Sequence, residues 1–75
     1  MADMRRLTAI IEREDEGYVA LCPEYDVASQ GATIEEARDN LVEALTLFFE
    51  SADNSEVVRR FQPEVLVTQV EVKVA

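Results

Sequence analysis

TIEEARDNLVEALTLFFESA, residues 33–52, is the stretch that decides the fold. Ile34, Ala37, Leu41, Ala44, Leu45, Phe48 and Ala52 recur three and four residues apart, so they share one face of an α-helix. No Gly or Pro interrupts them. Thr33 and Glu36 form a capping box: the Thr33 hydroxyl accepts from the Glu36 amide while the Glu36 carboxylate reaches back. Asp53-Asn54-Ser55 breaks the pattern, which places the helix end near Ala52. At about 1.5 Å per residue the helix runs roughly 30 Å, enough to cross a small sheet.

Upstream of it the period changes from helical to alternating. Arg6 to Glu14 reads as a strand, with Leu7, Ala9 and Ile11 alternating against Thr8, Ile10 and Glu12. Asp15-Glu16-Gly17 supplies a turn, in which Gly17 is free to take a positive φ. Tyr18 to Cys22 is a second strand, rich in β-formers, and Pro23 ends it because it has no N–H to donate. Val27 to Gln30 makes a third, very short strand closed by Gly31. Downstream, Glu56 to Phe61 adds a short helical turn, Pro63 resets the chain, and Val65 to Val74 alternates as a last strand.

The order is β-β-β-α-β, an α/β (α+β) fold in a single domain spanning 1–75. Hairpin turns make the first three strands a meander. The long helix is a crossover that returns the fourth strand parallel to the first, and right-handed crossovers are the rule. The expected sheet is mostly antiparallel with order 3-2-1-4 and the helix on one face. One helix cannot cover both faces, and Val65, Val67, Val70 and Val72 are more apolar surface than so short a chain can shelter. They are therefore expected to form a subunit interface in a homodimer or homotetramer.

Composition narrows the function. Sixteen acidic residues against seven basic ones give a net charge of −9, which repels nucleic-acid phosphate and suits a basic partner, so no direct nucleic acid binding is expected. The chain contains no His, which removes the commonest general base, the commonest metal ligand and every Ser-His or Cys-His arrangement. Its single cysteine, Cys22, can make no intrachain disulfide and has no base or cation beside it in sequence. Residues 1–6 lead into no apolar signal-peptide core, and the longest apolar runs fall far short of a membrane span. A cytoplasmic location without membrane, metal or cofactor is the expectation.

Three ordered submotifs resemble the HicB-like antitoxin family: Tyr18-Val19-Ala20-Leu21-Cys22-Pro23-Glu24, then Ala28-Ser29-Gln30-Gly31, then Thr33-Ile34-Glu35-Glu36-Ala37. Leu41, Glu43 and Ala44 continue the pattern, and about half the chain is covered. The resemblance implies a truncated ribonuclease-H-like unit that neutralises a HicA-like toxin, a small basic ribonuclease cleaving mRNA. Tyr25-Asp26-Val27 stands where many members have Pro-Gly-Cys, and Ala32 where Asp is frequent. The C-terminal DNA-binding module of many members is not expected within 1–75.

A ribonuclease-H-like fold invites a two-metal nuclease reading, which needs carboxylates converging on one point. Glu12 and Glu14 share a strand face, but the helix acids lie opposite the apolar face and are not expected to meet them. No enzyme activity is expected. The helix surface is more telling. Glu35, Glu36, Asp39, Glu43 and Glu50 fall on its outer face, where Glu35-Asp39 and Asp39-Glu43 are like-charge pairs costing roughly 0.2–0.5 kcal/mol each. Leu47 interrupts that polar side. Either the return segment around Val57 or Phe61 covers it, or a partner does. Glu35, Glu36, Asp39, Glu43 and Leu47 are the candidate partner-binding residues. The function expected is occlusion of a toxin's basic RNA-binding surface; the alternative is a stand-alone oligomeric module of regulatory or structural role.

Overall fold

In the computed structural model, which describes residues 4–75, the polypeptide folds as β1 (Ile10–Glu14), β2 (Gly17–Cys22), β3 (Val27–Gly31), α1 (Ile34–Ser51) and α2 (Asn54–Arg60). The strands form one antiparallel sheet in the order β1-β2-β3. Ile10 pairs with Leu21 and Glu14 with Gly17, while Leu21 pairs with Ala28 and Tyr18 with Gly31. This is the small α+β meander-then-helix that the alternation predicts.

Several details differ from the sequence-based expectation. The first strand starts at Ile10 rather than Arg6. Its ladder runs out because the next positions of the neighbouring strand lead into Pro23, which has no N–H. The residue with positive φ in the first turn is Asp15 (52°), not Gly17; Asp tolerates the left-handed region through its short polar side chain. The short helical turn expected from Glu56 to Phe61 is a helix over Asn54–Arg60, capped by Asp53, whose carboxylate accepts from the Glu56 amide at 2.9 Å and the Ser55 hydroxyl at 2.7 Å. The Ser55 bond and then the Glu56 amide hold the Asp53 carboxyl below its ordinary range.

The largest difference is the missing fourth strand, so order 3-2-1-4 is not formed. None of the residues 61–75 lies in a strand. Val65 is half-buried, but Val67 is 60 % exposed, Val70 79 % and Val72 74 %. Alternation makes a strand only where an edge supplies hydrogen bonds, and this segment leaves the domain without meeting one. The chain is correspondingly long and thin, 52 × 28 × 19 Å, with a radius of gyration of 14.6 Å; a compact chain of this length has about 11 Å.

The core lies between β2 and α1. Ala20 and Cys22 on β2, Ala37 and Leu41 on α1, and Tyr25 in the turn after β2 are all buried. Leu7, Ile11, Tyr18, Val27, Leu45, Phe48, Phe49 and Val57 pack around them. Small residues in the centre let helix and sheet approach closely. Gly31 carries that approach furthest: a Cβ there would stand 2.5 Å from the Ala37 nitrogen and 2.8 Å from the Glu36 carbonyl carbon. Ile34, expected on the buried face, is instead 47 % exposed, because α1 lies mainly over β3 and hardly reaches β1.

Candidate interaction surface

The outer face of α1 is built from its cap upward. Thr33 is the N-cap in extended conformation, and its hydroxyl accepts from the Glu36 amide at 3.0 Å. The Glu36 carboxylate turns back and accepts from the Ala32 amide at 3.1 Å, so the reciprocal bond falls one residue before the cap. Two orphan amides of the turn into the helix are thereby satisfied. Asn40 ties the same flank to the sheet, donating to the Gln30 carbonyl at 2.8 Å. The helix is therefore fixed over β3 with its acidic side turned outward.

On that side Glu35, Glu36, Asp39, Glu43 and Glu50 are all exposed. Arg38 pairs with Asp39 at 3.1 Å, a surface contact between side chains 63 % and 71 % exposed, and such pairs contribute about 0–1 kcal/mol. The first turn holds Glu35 and Glu36, where the helix N-terminus favours them, but the last turn carries no basic residue. Glu43 and Glu50 therefore meet neither the favourable end of the macrodipole nor a salt bridge among the described residues. Leu47 remains 56 % exposed beside them, so neither Val57 nor Phe61 covers it as one reading expected. Those two residues turn inward instead, Val57 to the core and Phe61 onto Tyr25 at 5.3 Å between ring centroids.

The structure also brings strand and helix acids nearer than the helical wheel suggests. Because Glu36 folds back over the cap, it lines the same open cleft of about 460 Å³ as Glu14, Asp15 and Glu16 of the first turn. Glu12 and Glu43 are not part of that cleft. Among the described residues, no three Asp, Glu, Cys or His side chains are grouped so as to hold a metal ion.

A second polar centre escaped the sequence reading, which took Pro23-Glu24 as a strand terminator only. The Glu24 carboxylate accepts from the Thr8 amide at 3.0 and 3.1 Å, the Thr8 hydroxyl at 2.7 Å and the Cys22 thiol at 3.4 Å. Partial burial acts to raise its pKa, but the Thr8 hydroxyl and the neighbouring amides outweigh it and hold the carboxyl below its ordinary value. Burial, with Glu24 beside it, pushes the Cys22 thiol up, so it stays protonated and packs as a small apolar side chain. Tyr25 then sits among Phe48, Phe49 and Phe61, with centroids 5.1–5.4 Å away. Its hydroxyl accepts from Arg5 at 3.2 Å and its carbonyl from Arg60 at 2.7 Å. The signal available in sequence was an aromatic directly after a strand-ending Pro-Glu, with the paired Phe48-Phe49 at the far end of the helix.

Compared with known proteins, the chain matches no family model, no curated protein and no solved structure. No helix among the described residues is long and apolar enough to cross a membrane.

Proposed function

We propose that this is a binding protein of the HicB-like antitoxin kind, acting in the cytoplasm by occluding the basic RNA-binding surface of a HicA-like toxin. The observation that carries the reading is the outer face of α1: Glu35, Glu36, Asp39, Glu43 and Glu50 exposed along it, an uncovered Leu47 between Glu43 and Glu50, and Arg38 as the one basic residue of the helix. An apolar anchor within a charged rim is the usual anatomy of an interface core and its surround. The like-charged pairs cost stability in the free protein and are relieved when a cationic surface approaches. The resemblance of Tyr18–Glu24, Ala28–Gly31 and Thr33–Ala37 to the antitoxin family supplies the chemistry of that partner. In this reading the protein has no catalytic residues and needs no cofactor.

The test is neutralisation. A small basic toxin of HicA type encoded beside this gene is induced with and without the chain, and RNA cleavage is followed. The expected result is that the chain restores intact RNA and that the triple reversal Glu36→Lys, Asp39→Lys, Glu43→Lys abolishes protection while the fold persists. Undiminished protection by the folded triple variant contradicts the assignment of this face. The alternative, a stand-alone self-assembling module, is favoured by the exposed valines of 65–74, and a chain that leaves RNA cleavage unchanged would support it.

A further inference from the structure

The sheet is one strand short, and the vacancy has a shape. β1 is an edge strand, paired only to β2. Because α1 lies over β3 and is tied there by Asn40, its opposite flank faces the β1 side of the sheet but makes few contacts with β1. On that flank Ile34 is 47 % and Val42 53 % exposed, eight residues apart along the helix. On β1 itself Ile11 packs toward the core on the helix side and is only half-buried. An added strand beside β1 would find backbone partners along its edge and an apolar roof above.

Residues 65–74 have the pattern that fits. Leu66, Val70, Val72 and Val74 alternate onto one side, interrupted only by Thr68, and all four are at least 74 % exposed. The other side runs from Val65 and Val67 to Gln69, Glu71 and Lys73. The outward side of β1 runs the same way, from Ile10 to Glu12 and Glu14. Parallel alignment therefore sets valine beside Ile10 and brings Lys73, the only lysine in the chain, to the acidic end.

Each copy thus carries both an empty slot and an unsheltered strand, and the connection between them is extended. Phe61 has φ −70° and ψ 124°, the Gln62 amide is held by the Glu24 carbonyl at 2.7 Å, and Pro63 keeps the residue before it extended. The chain leaves its own domain along this line instead of turning back. Charge decides what it meets. The protein carries −9 overall, yet 65–75 contains one Glu and one Lys and is neutral, so two copies can join here without the repulsion their helices would feel. We propose that residues 65–74 form the fourth strand of a second copy's sheet, along β1 and under Ile34 and Val42, in a reciprocal two-fold exchange. Such an exchange closes on itself, leaving no strand unpaired. It stands independently of any toxin, because it uses the opposite flank of α1 from Leu47.

The test combines sedimentation of the full chain with an isotope-filtered NOE experiment on an equal mixture of labelled and unlabelled protein. The expected result is a particle of twice the 8.4 kDa chain mass. Methyl contacts from Val70 and Val72 to Ile34 and Val42 should arise between differently labelled copies. Val70→Asp with Val72→Asp should raise the dimer dissociation constant at least about 100-fold, with the helical signal of α1 retained. A monomer, a dimer that survives the double substitution, or contacts arising only within one chain would each overturn the exchange.

Discussion

Replacing Tyr25 by Ala removes the side chain on which Arg5, the far end of α1 and Phe61 converge. Its ring is 1 % exposed and meets Phe48 at 5.4 Å, Phe49 at 5.1 Å and Phe61 at 5.3 Å. Truncating a buried aromatic to Ala costs about 3–5 kcal/mol, from lost transfer energy and the cavity left behind. A domain of this size has roughly 4–11 kcal/mol of stability in all, so Tyr25→Ala should leave the protein largely unfolded or close to it. Tyr25→Phe keeps the ring and loses only the hydroxyl that accepts from Arg5 at 3.2 Å, a change of about 0.5–1.5 kcal/mol. Urea unfolding followed by far-ultraviolet circular dichroism measures both. The midpoint should drop far for Ala and little for Phe, at similar slope. An Ala variant within about 1 kcal/mol of the parent would refute an aromatic centre to this core.

Three further outcomes follow from the same geometry. The lowered Glu24 pKa means that the unfolded state binds the proton more readily, so this carboxylate's contribution is present above its ordinary value of 4.5 and is lost as pH falls below that toward the folded value. Glu24→Gln should cost about 1–3 kcal/mol at neutral pH, and unfolding midpoints of variant and parent should converge in acid; a gap equally wide in acid would refute the role. Gly31→Ala drives a Cβ into the backbone of Glu36 and Ala37 and should destabilise by about 1–3 kcal/mol, measured by thermal melting. Leu47→Ala should change stability by no more than about 0.5 kcal/mol, since the side chain is 56 % exposed; if the proposed toxin is the partner, the same change should weaken its binding in titration calorimetry.

The helix and the meander were legible because each is encoded locally. The Thr33–Glu36 cap, the three-and-four spacing through Phe48 and the alternation of Tyr18–Cys22 all describe neighbours close in sequence. What escaped depends on contacts between distant residues. The Glu24–Thr8 bonds, the clustering of Tyr25 with Phe61 and the tilt of α1 toward β3 have no local pattern. The 65–74 alternation predicts a strand, but period two does not say which edge, if any, supplies its hydrogen bonds. The acidic helix face was legible for the opposite reason: a solvated surface is what remains when the apolar stripe is assigned. Only the return of Glu36 over its cap, into the cleft with Glu14, needed the structure.

The central claim is that the protein works through the acidic outer face of α1, and association kinetics with the purified HicA-type toxin test it most directly. Electrostatic steering acts mainly on the association rate and is screened over about 8–10 Å at moderate salt. The account predicts that the association rate falls at least about tenfold between low and moderate ionic strength. It also predicts that the triple reversal at Glu36, Asp39 and Glu43 removes both the fast association and its salt dependence. An association rate that is indifferent to salt and unchanged by the reversal, in a variant shown to be folded, would contradict it.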